Sequence, residues 1–326
     1  MVPNRIAVAR RTSVMRVCRH PAAPPRVAVR APCLFFLFAT VLAPRVVAAA
    51  GAPERPAAQV RLLPADDLFV PLVADMKQPR FFAGMRSMDF RGTSLPDSYR
   101  SQRINGGLVG FGGDLGLVTV RGGPDGRDGI QLALSAGVFS QFNLSVGSAD
   151  LINSDFIAGF PITARHGPWS ARLRGYHQSS HLGDEFMMHN PAFERLDISF
   201  EAADLVLSYE GSFWRLYGGG GLLVSTNTAL EPGLAQGGVE LRGPAWPVEL
   251  IGNAALSPVA AVDFGWFQAR GLVGTASVKA GVESTSPDAH RQFRVLLVYL
   301  RGYLAYGQFF DRERVEDFGL ELQFDY

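Results

Sequence analysis

The chain has 326 residues, with 31 basic and 30 acidic side chains and two cysteines. Eight of the arginines and both cysteines lie in the first fifty residues, which contain no Asp or Glu, so the remainder carries a formal charge of −7. That remainder lacks the basic stripe of a nucleic-acid-binding protein, and it can form neither a disulfide nor a thiolate metal site.

Residues 1–50 are predicted to be a signal peptide. A basic region precedes the short apolar run 33–43, and small residues follow at 48–51, which is the order of an export signal with its cleavage site. The apolar run is well short of the ~20 residues that a membrane-spanning helix needs. We therefore expect cleavage near Ala50, while the long basic leader leaves the start at Met1 or Met15 open.

Residues 51–79 are predicted to be a periplasmic lead-in without regular structure. Prolines and aspartates recur there at a spacing that interrupts both helix and sheet: Pro64, Asp66, Asp67, Pro71, Asp75 and Pro79. The segment therefore reads as a connection between the signal peptide and a folded region over 80–326.

The region 80–326 is predicted to be all-β. It shows no helical periodicity, and short apolar alternations recur between turn clusters such as 122–126 and 286–288. Thirteen strand-like segments can be counted, but bacterial single-chain barrels have even strand numbers, so we predict about twelve strands, with one segment either wrongly included or part of a neighbouring strand. The segments are 80–90, 105–121, 129–140, 153–163, 168–180, 194–209, 212–226, 235–242, 246–256, 260–270, 273–285, 291–305 and 314–326.

The last strand favours a membrane barrel over a soluble periplasmic β-sandwich, which stays open as an alternative. In 318–326 one parity reads Phe, Leu, Leu, Phe, Tyr and the other Gly, Glu, Gln, Asp. This alternation, ending on an aromatic residue, resembles the β-signal that the outer-membrane assembly machinery recognises. We predict a transmembrane antiparallel β-barrel in the outer membrane of a Gram-negative bacterium, with lipids, lipopolysaccharide and that machinery as partners.

Reactive side chains are densest at 176–186. Odd positions before this cluster are apolar and even positions polar, so His177 and Ser179 are predicted to face outward on the fifth strand, at the outer-leaflet rim. Glu194 is expected to share outward parity with the apolar residues of the next strand: Leu196, Ile198 and Phe200. Ser179 as nucleophile, His177 as base and Glu194 as acceptor would then supply the three roles of a serine esterase.

Two resemblances accompany this cluster. The residues "YHQSSHLGDEF" and "FERLDISFE" resemble the active-site strands of outer membrane phospholipase A and lipid A deacylase, which implies a His-x-Ser pair on a barrel exterior. Ser180 departs from the pattern, because those enzymes tend to have Asn after the serine. From about Leu63 to Tyr326, with "LVADMKQPRF" and the aromatic C-terminus, the chain is similar to the family termed domain of unknown function 1207, which implies fold and location rather than an activity.

Several functions remain open from the sequence. The barrel could be structural or a small-solute channel, with His177 and Ser179 as rim residues bonded to backbone or lipopolysaccharide, or it could be a lipid esterase. No cofactor is expected except, as a weak candidate, Ca²⁺ held by the oxygens of Asp184 and Glu185. Charged residues are expected to pair in the lumen: Arg172, Arg174, Arg195 and Arg215 with acids such as Asp197 and Glu201.

Overall fold

The alternating segments form long antiparallel strands in the computed structural model, which describes residues 58–92, 94–123, 127–250, 254–271, 273–286 and 291–326. The predicted signal peptide, 1–50, lies outside the described residues. The strands are β1 (Gln59–Leu62), β2 (Phe81–Phe90), β3 (Ile104–Gly122), β4 (Asp128–Asn143), β5 (Asp150–His166), β6 (Trp169–Leu182), β7 (Ile198–Glu210), β8 (Trp214–Thr226), β9 (Gly233–Arg242), β10 (Trp246–Leu250), β11 (Ala254–Phe267), β12 (Thr275–Thr285), β13 (Gln292–Tyr303) and β14 (Arg314–Asp325).

Twelve of these strands close into a barrel. From β2 each barrel strand pairs with the next, β9 pairs with β11, and β14 returns to β2 with Phe324 opposite Phe81. β1 only extends the edge of β3, and β10 pairs only with the first residues of β11. The predicted twelve-stranded antiparallel barrel is therefore confirmed.

The wrongly included segment is 246–256. Within it, 246–250 form β10, with an irregular register between Trp246 and Glu249, and 254–256 are the first residues of β11. Pro247 has no N–H to donate to a ladder, which confines such a residue to an edge or an irregular strand. Residues 246–250 are therefore part of a connection, and the remaining strand residues of the predicted segment belong to the wall strand β11.

Side chains alternate between the outside and the lumen. On β6, Trp169 and Leu173 are exposed, whereas Arg172 and Arg174 are buried. Exposed Leu, Phe, Val and Ile recur on the outer face of the other barrel strands, and buried charged or polar residues on the inner face. An apolar exterior around a polar lumen is the arrangement of a transmembrane β-barrel. Among the helices of the described residues, none has the length and hydropathy of a membrane span.

Both termini of the barrel lie at one end, here called the terminal end. Phe81 begins β2 opposite Phe324 of β14. β6 therefore runs from the terminal end towards the opposite, distal end, as predicted for the fifth strand. Two short helices, α1 (Asp97–Arg100) and α2 (Asp184–His189), lie in the distal connections.

Residues 63–80, here called the plug, lie inside the barrel. Leu72 and Val73 are fully buried, the Val73 N–H donates to Glu240 Oε1 at 2.7 Å, and Arg215 donates to the Val70 carbonyl at 2.8 Å. Prolines and aspartates deny this segment its own ladder, so lumen side chains satisfy its backbone groups instead. The prediction of a periplasmic lead-in over 51–79 is wrong for these residues.

A second segment, residues 304–313, connects β13 to β14 and fills the distal half of the lumen. It is here called the inserted loop. Its Tyr306 donates from its hydroxyl to the Met76 carbonyl of the plug at 2.6 Å. Gly307 donates its N–H to Asp155 at 3.0 Å, and Lys77 of the plug forms an ion pair with the same carboxylate. A cavity of about 110 Å³ remains between the two segments.

Charged side chains in the lumen form ion pairs, but the predicted acids Asp197 and Glu201 are exposed and are not among their partners. Arg86 contacts both Asp317 and Glu321, and Glu321 also binds Lys279 at 2.6 Å. Arg174 binds Asp204 at 2.6 Å. Pairing of this kind offsets the cost of removing charges from water, and leaving one partner alone would be costly.

Candidate functional site

His177 and Ser179 lie on the outside of the barrel, as predicted. β6 keeps an unbroken register with β5 and with β7, so no bulge turns these side chains inward. The even positions between them and Trp169 face the lumen, where Arg172, Arg174 and Gln178 are buried. The outward parity of the His-x-Ser pair thus rests on continuous pairing along the whole strand.

The acidic partner of His177 is Glu201, not Glu194. In the register His177 stands directly opposite Glu201, and its Nδ1 lies 3.0 Å from Glu201 Oε1. Glu194 precedes β7, which begins at Ile198. The predicted placement of Glu194 beside His177 is therefore wrong, and Glu201, expected in the lumen, is exposed on the exterior.

The face of β7 that was predicted to point outward points inward, because the distal lumen is apolar. Ile198 and Phe200, predicted to face lipid, are each only 2 % exposed and pack inside the barrel. The Phe200 ring lies 6.2 Å from Phe310 of the inserted loop. A segment that fills the distal lumen with aromatic side chains makes the inner face of this part of the strand apolar, so apolar residues no longer indicate the outward face.

Ser199 joins His177 on its other side. The Ser199 hydroxyl lies 3.5 Å from His177 Nε2, at the long end of a hydrogen bond. Ser179 stands directly opposite Ser199 across β6 and β7. Catalytic hydrogen bonds are often long before substrate binds, so Ser199, His177 and Glu201 have the order of a nucleophile, a base and an acceptor. These three residues are here called the outer triad.

The outer triad lies where the apolar exterior gives way to polar residues. Its His177 and Glu201 side chains are 48 % and 52 % exposed. Phe156, 45 % exposed, stands opposite Ser179, whereas Leu205 and Leu207 continue the outer face of β7 towards the terminal end. This places the three polar groups at the distal margin of the apolar surface, where lipid esters lie in a membrane.

Asn227, just beyond β8, holds the backbone of Ser199. The Ser199 N–H donates to Asn227 Oδ1 at 2.8 Å, and the Asn227 N–H donates to the Ser199 carbonyl at 3.1 Å. On the neighbouring strand β8, Ser225 stands opposite Glu201. Both backbone groups of the candidate nucleophile on this side are thus engaged.

The metal candidates do not form a cluster. Asp184 and Glu185 occupy the first turn of α2. Within the part of the chain that the structure describes, no group of three or more His, Cys, Asp or Glu side chains is arranged to hold a metal ion. The Nδ1 atom of His181 instead lies 3.5 Å from Arg195 Nη2. Arg195 was expected in the lumen but is therefore beside a histidine on the exterior.

Two members of the outer triad were absent from the predicted site. Ser199 and Glu201 are two residues apart, on the same outward parity of β7, and so mirror His177 and Ser179 on β6. Pairing the two strands in register would have found them in the sequence. That register depends on where β7 begins, and the irregular residues 190–197 hide its start.

The chain matches a family model over residues 44–326, described as protein of unknown function (DUF1207). The chain belongs to this family. The resemblance stated from the sequence is thereby confirmed. A search of curated proteins found no match. As a closed barrel with an apolar exterior and an even strand number, this DUF1207 protein is an outer-membrane β-barrel of the Gram-negative type.

Solved structures that resemble the chain are barrels of the same kind. The β domain of the Bordetella autotransporter BrkA is 12 % identical, with 76 % of this chain and 99 % of that one covered and a TM-score of 0.38. The transport unit of the autotransporter AIDA-I from Escherichia coli is 12 % identical, with 80 % and 95 % covered and a TM-score of 0.31. OmpT from Vibrio cholerae is 9 % identical, with 75 % and 98 % covered and a TM-score of 0.29.

Proposed function

We propose that this DUF1207 protein is a serine esterase that acts on acyl esters of outer-leaflet lipid, phospholipid or lipid A, from the outside of its barrel. The supporting observation is His177, bound at Nδ1 by Glu201 and approached at Nε2 by the Ser199 hydroxyl. Polar side chains on a lipid-facing surface are costly unless they are partnered. Here the acid binds one nitrogen of the histidine and the hydroxyl approaches the other, which is the order that also activates a hydroxyl.

The reaction would follow the usual two steps of acyl transfer. Ser199 Oγ attacks the ester carbonyl while His177 Nε2 takes the hydroxyl proton, and Glu201 stabilises the resulting imidazolium. The tetrahedral intermediate collapses by breaking the bond to the alcohol oxygen, which receives the proton from His177. Water, deprotonated in the same way, then attacks the acyl-enzyme, releases the fatty acid and restores Ser199.

Ser179 is the alternative nucleophile. It has the His-x-Ser spacing that resembles phospholipase A and lipid A deacylase, and it stands opposite Ser199. The structure gives no hydrogen bond between Ser179 and His177, whereas Ser199 has one. We therefore assign the attack to Ser199 and keep Glu194 outside the reaction.

The deciding experiment compares three serine variants of the full chain, purified in detergent and assayed for fatty-acid release from phospholipid and from lipid A. We expect Ser199→Ala to lose release by at least about 10³-fold and Ser179→Ala to retain most of it. Ser154→Ala is the matched control, because Ser154 is another outward serine, bonded only to the hydroxyl of Ser140 on β4 at 2.7 Å. Equal release by wild type and Ser199→Ala would remove Ser199, and loss in Ser179→Ala alone would transfer the role.

A small-solute channel is the other activity considered for the barrel. It is weakened by the lumen, where the plug and the inserted loop contact each other through Tyr306 and Met76. Outer-membrane lipids, lipopolysaccharide and the assembly machinery remain the partners that this location makes available. Ca²⁺ at Asp184 and Glu185 stays a separate hypothesis that the esterase mechanism does not require.

A further inference from the structure

Acyl transfer at Ser199 requires a donor for the oxyanion, and the barrel wall limits where that donor can come from. In many hydrolases backbone N–H groups fill this role. On a barrel strand the backbone N–H groups lie in the plane of the sheet and are used by the ladder. β7 pairs with β6 continuously from Ser180 opposite Ile198 to Trp169 opposite Tyr209, whereas its register with β8 shifts between Glu201 and Ala202. On the β6 side an oxyanion donor must therefore be a side chain, and on the β8 side the residue bonded to Ser199 is Asn227.

The backbone of Ser199 itself is unavailable. Its N–H, the group closest to the hydroxyl along the chain, donates to Asn227 Oδ1 at 2.8 Å. The Asn227 N–H in turn donates to the Ser199 carbonyl at 3.1 Å. Asn227 is thus fixed against the candidate nucleophile by two hydrogen bonds.

These bonds determine which end of the Asn227 amide is free. A carboxamide carries its oxygen on one side and its NH₂ group, with two donors, on the other. Since Oδ1 accepts the Ser199 N–H, the Nδ2 group is directed away from that N–H. Nδ2 makes no hydrogen bond with another described residue, and the side chain is exposed on the exterior.

We propose that the Asn227 Nδ2 group is the oxyanion donor of the esterase, an inference that rests on the proposed function. Its hydrogen would bond to the carbonyl oxygen as Ser199 Oγ adds to the carbonyl carbon and negative charge moves onto that oxygen. The bond strengthens as the charge develops, so it stabilises the transition state more than the bound ester. When the intermediate collapses, the electron pair returns to re-form the carbonyl and Nδ2 is left neutral.

Two substitutions separate this role from a purely structural one. Asn227→Asp keeps an oxygen to accept the Ser199 N–H but replaces the donor with a negative charge. Asn227→Ala removes both. If Asn227 only supports the backbone, Asn227→Asp should keep the wild-type rate. If Nδ2 binds the oxyanion, both variants should lose about 10²–10³-fold in kcat with little change in KM.

The experiment measures kcat and KM for fatty-acid release by the full chain in mixed micelles of phosphatidylglycerol, with the Asn105→Ala variant as control. Asn105 is an exposed asparagine near the distal end, on β3, and its side chain contacts no part of the outer triad. Losses in both Asn227 variants, with Asn105→Ala unchanged, are expected. An Asn227→Asp enzyme as fast as wild type, while Ser199→Ala is inactive, would overturn the oxyanion role alone. A wild type without release from any lipid would overturn the proposed function and this inference with it.

Discussion

Two cross-strand pairs on the same two strands show how differently the faces of this barrel use charge. Arg174 stands opposite Asp204, and His177 stands opposite Glu201, on adjoining stretches of β6 and β7. The first pair faces the lumen and is 9 % and 11 % exposed, whereas the second faces outward and is about half exposed. Each joins a basic side chain to an acid, but their surroundings assign them different roles.

Burial inside the barrel explains why Arg174 and Asp204 are paired, but it does not explain why His177 and Glu201 are. Arg174 also stacks on the Tyr176 ring at 4.4 Å, so its buried charge has both an ionic and an aromatic partner. An ion pair that is enclosed in this way must be intact for the fold to be stable. A half-exposed His and Glu contribute little to stability, which agrees with the catalytic role that we propose for them.

Glu201→Gln offers the largest expected effect on the outward pair. The amide keeps the size of the side chain but cannot stabilise an imidazolium, and we expect fatty-acid release to fall by about 10²–10⁴-fold in kcat. The free energy of unfolding should change by no more than about 0.5 kcal/mol, because the pair is exposed. Assays of release and urea unfolding in detergent micelles test both parts. A large loss of stability would make Glu201 structural and erase the contrast with Arg174.

Arg174→Met should show the opposite pattern on the inward pair. It leaves Asp204 buried without its cation, and we expect the free energy of unfolding to fall by about 3–5 kcal/mol. Urea unfolding monitored by tryptophan fluorescence measures the change, with the outward Leu173→Met as a neighbouring control of nearly conserved volume. If Arg174→Met were as stable as wild type, the Arg174–Asp204 pair would not be needed for the stability of the wall at β6 and β7.

Asp67 of the plug provides a smaller, pH-dependent test. Burial, together with the carboxylates of Asp114, Asp66 and Asp325, raises the pKa of Asp67 to about 7. Because the folded protein then holds a proton more tightly than the unfolded chain, stability should rise as pH falls from above 7 towards 4. Asn mimics the protonated acid, so Asp67→Asn should be more stable than wild type at pH 8 and equal to it only near pH 3, below the ordinary pKa of 3.8 that the unfolded chain keeps. Thermal unfolding at both pH values measures the difference, and an identical pH dependence in both proteins would contradict it.

The wall of the barrel was predictable from the sequence because its outer face is chemically uniform. The parity of β6, from Trp169 to Ser179, could be read directly, since lipid selects apolar residues and the lumen beside the plug selects polar ones. The contents of the lumen were not predictable. Residues 63–80 carry no periodic pattern, and their place inside depends on contacts with distant wall residues such as Glu240.

The candidate site was half predictable for the same reason. His177 and Ser179 lie on a strand with one apolar face, so their direction followed from alternation. Ser199 and Glu201 lie on the part of β7 whose inner face packs on Phe310, so there the apolar residues face inward and the polar ones outward. Alternation in the sequence does not distinguish a strand face that meets lipid from one that meets the aromatic inserted loop. The prediction of Glu194 as the partner of His177 therefore used the inward face of β7.

Asp155 on β5 implies an order of assembly. Its carboxylate accepts a hydrogen bond from the Ser180 hydroxyl at 2.6 Å and from the Gly307 N–H, and it also pairs with Lys77. One side chain therefore joins the beginning of the barrel chain to its final hairpin. If the wall closed before residues 63–80 had entered, this carboxylate would be buried without its cation. We therefore expect the plug to enter together with the last two strands, so that lumen filling and barrel closure are a single cooperative event.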